Sequence, residues 1–106
     1  MDTIEVILKT EYSQEFDERR KNAMAMSYYK YGPAKENYAR STCPVSATDN
    51  IEIRLKKWIE TGNKDYLVDV ANFAMLAYMF EKGVYDPKDD EHILKGVPIN
   101  EIKNFR

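Results

Sequence analysis

The fold that is predicted for this chain is built around Thr61–Phe80, TGNKDYLVDVANFAMLAYMF. It predicts a helix that is apolar on nearly every side, apart from one polar line at Asp65, Asp69 and Asn72. A helix with apolar residues all round is normally buried in a core or in an oligomer interface. Carboxylates buried there must be paired, hydrogen-bonded or bound to a metal. The function of the chain therefore depends on what faces Asp69.

A second helix is predicted immediately before this stretch. Asp49 and Glu52 have the spacing of a capping box at its start. Its apolar residues follow the i, i+4, i+7, i+8 pattern of one helical face, and they are Ile51, Leu55, Trp58 and Ile59. Gly62 is expected to end this helix in a left-handed conformation, and Asn63 is expected to cap the next one. So short a connection predicts a tight antiparallel helical hairpin over residues 49–81.

The remainder of the chain gives weaker signals. Residues 4–8 alternate imperfectly, which predicts a short strand or an extended N-terminal arm, with a helix as the competing form. A helix is expected from Ser13 until Gly32 and Pro33 end it. Residues 33–47 have no sustained period and predict a short helix over 34–40 followed by a loop. Gly83 is expected to end the central helix, and an irregular C-terminal tail follows it.

The predicted fold class is therefore all-α. We expect a single helical domain over residues 1–106 with its core over about 13–82. It contains three main helices, a tight hairpin at 49–81, a short N-terminal extended arm and an irregular C-terminal tail. The central helix is apolar on more sides than two neighbouring helices can cover. We therefore also expect a homo-oligomer, a dimer or larger.

The composition is typical of a soluble globular chain, with 106 residues, 43% hydrophobic and 32% charged, and a net charge of −2. Lys and Arg form no basic patch, so no DNA duplex is expected as a partner. One cysteine, Cys43, excludes an internal disulfide and suits a reducing cytosol. The N-terminus does not have the pattern of a signal peptide. The longest apolar-rich run, Tyr66–Phe80, is shorter than the ~20 residues that span a bilayer, so we expect a cytoplasmic protein without a membrane partner.

Acidic residues on two of the predicted helices are spaced to share a face. Glu15 and Glu18 are one turn apart, and so are Asp69 and Asn72. Oxygen ligands on two facing helices suit Mg²⁺, which prefers a few carboxylates and shares its shell with substrate phosphates. The alternative for Glu15 and Glu18 is a solvated face that the helix dipole favours. The dipole also explains Asp65 without any function.

Arg54 and Lys30 are the candidate cations near the central helix. Either residue is placed to meet a phosphate or to neutralise Asp69 in a buried salt bridge. Eight tyrosines offer rings for stacking on a base, although amphipathic packing explains such residues as well. His92 and Cys43 lack the neighbours that a nucleophile or a zinc site needs. There is no glycine-rich phosphate loop.

Three segments carry a resemblance to known proteins. They are KYGP at 30–33, IEIRLKKWIETGN at 51–63 and YLVDVANFAM at 66–75. Together they resemble a group of small phage and prophage proteins. Their layout is distantly similar to MazG-like all-α nucleoside triphosphate pyrophosphohydrolases and to phage nucleotide-modification-associated domains. The resemblance covers about residues 15–80.

The MazG-like pattern is Glu-x-x-Glu on one helix and Glu-x-x-Asp on another, which together bind Mg²⁺. Glu15 and Glu18 match the first half, and Asp69 matches the aspartate of the second half. Tyr66 stands where the pattern has its other glutamate. The resemblance therefore implies Glu15, Glu18 and Asp69 as the Mg²⁺ ligands. Asp65 is the nearby carboxylate that could substitute for the missing glutamate, and the departure at Tyr66 leaves nucleotide binding, or a retired active site, open.

The function that the resemblance implies is nucleotide handling: binding or hydrolysis of a nucleoside triphosphate with Mg²⁺. Arg54 or Lys30 would meet the phosphates, with Asn72 in support, and no catalytic residue is assigned. The main alternative is a non-enzymatic phage interaction protein, either an inhibitor that binds a host defence protein or a sponge for a signalling nucleotide. The tyrosine-rich KYGP region would be its surface. A third hypothesis is a purely structural oligomer in which Asp69 is salt-bridged to Arg54.

Overall fold

The computed structural model of the chain describes residues 3–38, 46–84 and 86. Five helices follow one another in this part, and they are α1 (Ile4–Glu11), α2 (Gln14–Tyr31), α3 (Ala34–Tyr38), α4 (Ala47–Thr61) and α5 (Asp65–Phe80). No strand occurs in these residues, and the predicted all-α class is confirmed.

The chain divides into two compact units. The unit Gln14–Gly83 holds α2 to α5, and the other unit holds α1. Residues 39–45 of the predicted loop and residues 87–106 of the predicted C-terminal tail lie outside the described residues. The single domain over 1–106 therefore stays a prediction.

Residues 4–11 form helix α1, and the expected extended arm is corrected accordingly. Thr3 caps this helix, because its side chain accepts a hydrogen bond from the backbone N–H of Val6 at 3.3 Å. Glu5 in the first turn and Lys9 in the last turn match the signs that the helix dipole favours. A run of five alternating residues does not distinguish strand from helix, and the cap at Thr3 is the local signal that does.

Helix α2 ends where the sequence predicts. Gly32 has a φ of 79°, and its N–H donates to the carbonyl oxygen of Tyr28 at 2.8 Å. This left-handed conformation favours glycine because it brings a Cβ too close to the backbone. The short helix that was expected after Pro33 is present as α3 through Tyr38.

Helix α4 begins one turn earlier than expected. Ser46 is its N-cap: the Ser46 side chain accepts from the N–H of Asp49 at 3.0 Å, and the Asp49 carboxylate accepts from the N–H of Ser46 at 3.3 Å. The capping box is therefore formed by Ser46 and Asp49 rather than by Asp49 and Glu52. Both pairs have the spacing of a capping box, and the serine one turn upstream is the residue that the chain uses.

The predicted hairpin of α4 and α5 is present. Gly62 ends α4 with a φ of 70°, and its N–H donates to the Trp58 carbonyl at 2.8 Å. The Asn63 side chain accepts from the N–H of Asp65 at 3.0 Å, so it satisfies a backbone donor at the start of α5 as expected. At the other end of the hairpin, the Glu81 carboxylate accepts from both the backbone N–H and the hydroxyl of Thr48. The two helices therefore lie antiparallel along their length.

Helix α5 ends at Phe80, and the prediction that Gly83 ends it is wrong. Glu81 follows the last helical residue in an extended conformation, with φ −86° and ψ 158°, and its N–H donates to the carbonyl of Ala77 at 3.0 Å. The chain leaves the helix through this extended residue. No left-handed glycine is used here, since the positive-φ glycines of the described chain are Gly32 and Gly62.

Helix α5 is central to the unit Gln14–Gly83, where it packs against α2, α3 and α4. Its buried residues are Val68, Asn72 and Leu76. Other apolar side chains stay in solvent, including Ile59 of α4 at 73% exposure and Tyr78 of α5 at 74%. The homo-oligomer that would cover such side chains stays a prediction. None of the described helices is long and apolar enough to cross a membrane.

Candidate functional site

An open groove of about 1000 Å³ lies within the unit Gln14–Gly83, among α2, α3 and the α4–α5 hairpin. Its wall combines aromatic and apolar side chains with charged and amide groups. The aromatic residues that line it are Tyr28, Tyr31, Tyr38 and Phe73. The charged and amide residues that line it are Lys30, Glu36, Asn37, Asn50, Arg54, Asp69 and Asn72. All three residues that were predicted to bind substrate, Lys30, Arg54 and Asn72, are thus brought together in one groove.

Asn72 is the most buried polar residue of this groove, at 6% exposure. Its Nδ2 donates to the backbone carbonyl of Arg20 on α2 at 3.0 Å. A carbonyl oxygen only accepts, so this contact fixes which end of the amide faces α2. The Oδ1 atom is shielded from solvent and has no hydrogen-bond partner within the described part of the chain. A buried acceptor left in this state costs about 1–3 kcal/mol, which makes Oδ1 a candidate contact for a ligand.

Arg54 and Asp69 form an ion pair across the hairpin. Arg54 Nε lies 3.5 Å from Asp69 Oδ2, and the two side chains are 30% and 34% exposed. The N–H of Nε is not aligned with the carboxylate, and Nε has no hydrogen-bond partner among residues 3–38, 46–84 and 86. The Arg54 guanidinium also lies 5.8 Å from the centroid of the Phe73 ring, within the range of a cation–π contact. The salt bridge that the sequence left as one alternative for Asp69 is therefore formed.

Burial and the neighbouring charges shift the pKa of Asp69 in opposite directions. Burial raises the pKa of the Asp69 carboxyl above its ordinary value of 3.8. The positive charge of Arg54 lowers that pKa, and the negative charge of Asp65 raises it. The net direction is upward because burial is the largest of the three effects. Asp69 thus retains an incompletely compensated carboxylate at the wall of the groove.

Aromatic rings surround these polar groups. Tyr38 of α3 meets Phe73 of α5 edge to face, with 5.9 Å between ring centroids and 66° between ring planes. Tyr28 and Tyr31 on α2 are 58% and 72% exposed and line another part of the groove. Aromatic faces at a groove offer stacking surfaces for a flat ligand. Phe73 follows Asp69 by one helical turn, which is the sequence signal that could have placed it beside the predicted site.

Glu15 and Glu18 do not line the groove. The Glu15 side chain is 75% exposed and accepts a hydrogen bond from Arg19 Nε at 3.1 Å, and Glu18 is also exposed. Among the described residues, no group of three or more His, Cys, Asp or Glu side chains is placed to hold a metal ion. Glu15, Glu18 and Asp69 are therefore not brought together and do not fit a shared Mg²⁺ ion in this structure. The solvated face that the sequence offered as the alternative describes the two glutamates better.

No family model matches the sequence, and comparison with curated proteins and with solved structures gives no match either. The resemblance to small phage proteins and to MazG-like enzymes therefore stays a prediction. The function has to be argued from the groove itself.

Proposed function

We propose that the groove among α2, α3 and the α4–α5 hairpin binds a nucleotide. The observation that carries this proposal is that a single groove joins aromatic rings, two cations and a buried amide oxygen. Its volume of about 1000 Å³ is sufficient for a nucleotide, since small-molecule sites usually fall at about 300–1,000 Å³. Aromatic stacking contributes about 1–3 kcal/mol per base in proteins that bind nucleic acid single strands.

The phosphates are assigned to Lys30. This residue lines the groove and belongs to the exposed end of α2, where a flexible ammonium group can follow a phosphate in solvent. Arg54 Nε lies 3.5 Å from Asp69 Oδ2, and the guanidinium also lies over the Phe73 ring. Its positive charge therefore already interacts with two groups inside the groove. We therefore place Arg54 at the base end of the nucleotide and Lys30 at the phosphate end.

The proposal is binding rather than hydrolysis. Hydrolysis by the MazG-like pattern needs several carboxylates around one Mg²⁺ ion, and Glu15 and Glu18 lie on an exposed face that does not line the groove. The carboxylates of the groove are Glu36 and Asp69. A protein that binds a nucleotide without cleaving it fits the hypothesis of a sponge for a signalling nucleotide. Its cytoplasmic location and its phage origin remain predictions.

Isothermal titration calorimetry of the full chain tests the proposal. We expect saturable binding of a nucleoside triphosphate in buffer with EDTA as well as with Mg²⁺. Lys30→Ala should weaken this binding about tenfold, because hydrogen bonds to charged groups contribute about 1.5–3 kcal/mol. Lys35→Ala is the matched control, since Lys35 is an exposed lysine of α3 that does not line the groove. No heat with any nucleotide, or equal effects of the two substitutions, would contradict the proposal.

A second candidate function is non-enzymatic interaction with a host protein. Tyr29 favours it, because its side chain is 83% exposed and does not line the groove. Exposed tyrosines are enriched in protein–protein interfaces. Nucleotide binding and interaction with a host protein predict different results for a substitution at Tyr29. If the groove is the functional site, Tyr29→Ala should leave both nucleotide binding and function in the host unchanged. If the exposed Tyr29 side chain is part of a protein interface, the same substitution should abolish function in the host.

A further inference from the structure

The α4–α5 hairpin has a second surface, on the side that faces away from the groove. The aliphatic residues Ile51, Leu55 and Ile59 recur every four residues along α4 and lie on one side of that helix. Leu55 is 42% exposed and Ile59 is 73% exposed, and neither of them lines the groove. These side chains and their neighbours on α5 form what we call the outer face. Its α5 residues are Leu67, Val70, Ala71 and Ala74.

The outer face turns away from α2 and from the groove. Asn72 of α5 contacts α2 through its hydrogen bond to the Arg20 carbonyl at 3.0 Å. Successive residues of an α-helix are about 100° apart around its axis, so the exposed Ala74 points about 160° away from Asn72. On α4, Arg54 lines the groove, and Leu55 lies about 100° further round the helix. Ala74 and Leu55 therefore both lie on the side of the hairpin opposite the groove.

The side chains of the outer face are large on one helix and mostly small on the other. Those on α4 are isoleucine or leucine, whereas those on α5 are mainly valine or alanine, so a ridge on α4 lies beside a shallower strip on α5. None of these side chains has a hydrogen-bonding group, so a polar or charged partner would leave its own groups unpaired there. A second copy of the face is complementary to it, because a two-fold axis can set the ridge of each copy against the strip of the other.

We propose that two copies of the chain associate through their outer faces in a two-fold symmetric dimer. A two-fold axis that runs parallel to the helices, between α4 and α5, lays α4 of each copy over α5 of the other. The two hairpins then form a four-helix bundle in which each helix is antiparallel to both of its neighbours. Glu52 and Lys56 are exposed beside the α4 ridge and form the polar rim that such interfaces have. Dimerisation goes beyond nucleotide binding and does not depend on it, since the outer face and the groove share no residue.

The outer face is large enough for a weak dimer. Helices α4 and α5 have 15 and 16 residues, so each is about 23 Å long, and two adjacent helices are about 20 Å wide. Their shared face covers about 460 Å² in flat projection, and two copies together cover about 920 Å². The relief of the side chains adds to this area and brings it to the ~1,000 Å² that a specific interface needs. We therefore expect a dissociation constant in the micromolar range, at the weak end of specific interfaces.

Sedimentation velocity of the full chain tests the dimer. Over roughly 1–500 μM chain, which brackets a micromolar dissociation constant, the wild type should pass from its chain mass of 12.4 kDa to twice that mass. Leu55→Lys should raise the dissociation constant of the dimer at least about a hundredfold, because the two-fold axis introduces the buried charge twice. Ile53→Lys is the matched control, since Ile53 is 44% exposed on the same helix and points about 160° away from Leu55. It should leave the dissociation constant unchanged.

Two further variants separate the interface from effects on folding. Ile59→Lys repeats the test at a residue that is 73% exposed, so the folded single chain should tolerate it while the dimer dissociates. Ala74→Leu enlarges a small residue of the strip, and overpacking under the ridge should raise the dissociation constant about tenfold. A tighter dimer in Ala74→Leu would contradict the packing of ridge against strip. A wild type that keeps the mass of one chain at the highest concentration, or equal effects of the lysines at 53 and 55, would overturn the proposed dimer.

Discussion

The side chain of Asn72 on α5 donates a hydrogen bond from Nδ2 to the backbone carbonyl of Arg20 on α2 at 3.0 Å. This bond joins two helices whose bonded residues are 52 positions apart in the sequence. It leaves Oδ1 of Asn72, a residue that lines the groove, as an acceptor. A second contact supports the same pair of helices, since Arg20 also reaches Met75 Sδ of α5 at 3.3 Å. The contact that helps to hold α2 on α5 therefore also orients the group that we assign to the ligand.

Removal of the Asn72 amide should destabilise the fold. Asn72→Ala removes the side-chain donor to the Arg20 carbonyl, and the free energy of unfolding should fall by about 0.5–1.5 kcal/mol, the net contribution of a typical hydrogen bond. Urea unfolding followed by circular dichroism measures this change. Asn22→Ala is the control, because Asn22 is an exposed residue of α2, and it should change stability by less than about 0.5 kcal/mol. Equal effects of the two substitutions would contradict the role of the interhelical bond.

The Arg54–Asp69 ion pair should have a small coupling energy. Both side chains are about a third exposed and the N–O distance is 3.5 Å, so solvent screens the attraction. A double-mutant cycle with Arg54→Ala and Asp69→Ala should give about 0.2–1 kcal/mol. In the exchanged variant Arg54→Asp with Asp69→Arg, part of the stability lost in either charge reversal should return. A coupling energy of several kcal/mol would instead indicate a structural salt bridge and would weaken the assignment of these residues to a ligand.

Stability should depend on pH through Asp69. Burial raises the pKa of this carboxyl above 3.8 in the folded chain, against the opposing charge of Arg54 and with the charge of Asp65 adding to the rise. At pH values between the ordinary pKa of 3.8 and the raised pKa of the folded chain, the folded state binds more protons at Asp69 than the unfolded state. The stabilisation that protonated Asp69 contributes is therefore fully present below pH 3.8 and is lost as the pH rises through the raised pKa. The unfolding free energy of the wild type minus that of Asp69→Asn should therefore decrease from pH 3.5 to pH 6. An increase over that range would show that the sign is wrong.

Gly62 and Gly83 offer a matched pair of glycine substitutions. Gly62 has a φ of 70° at the end of α4, so Gly62→Ala should destabilise the fold by about 1–2 kcal/mol because a Cβ is disfavoured in that conformation. Gly83 is not among the positive-φ glycines, and a Cβ there meets no atom within 4 Å in the described structure. Gly83→Ala should therefore leave the melting temperature unchanged. A neutral Gly62→Ala would argue against the tight hairpin turn.

The sequence was informative wherever a local signal acts alone. Gly32 and Gly62 end their helices as predicted, because the left-handed conformation after a helix selects glycine whatever packs nearby. Capping signals were informative but ambiguous. The pairs Ser46–Asp49 and Asp49–Glu52 both have the spacing of a capping box, and the cap signal of Thr3 competes with the alternation of residues 4–8. Such competition between neighbouring signals limits prediction of helix ends.

Contacts between distant helices were harder to predict. The partner of Asn72 is a backbone carbonyl, which every residue carries, so no sequence pattern could single out Arg20. The Arg54–Asp69 pair could be predicted from the sequence, because a hairpin with a short turn brings the faces of these two helices together. Glu15, Glu18 and Asp69 are not brought together in the described structure for a related reason. Spacing places residues on a face of their own helix, but it does not determine which way that face points.

The most direct test of the nucleotide site is a titration with a nucleoside triphosphate followed by ¹H–¹⁵N NMR of the full chain. We expect a saturable shift of the Asn72 side-chain amide, together with the backbone amides of Lys30 and Phe73, all of which belong to residues that line the groove. The backbone amides of Glu15 and Glu18 are the internal reference, because these residues belong to the same unit but do not line the groove, and they should not shift. An Asn72 side-chain signal that stays unchanged at a high excess of nucleotide would contradict nucleotide binding in the groove.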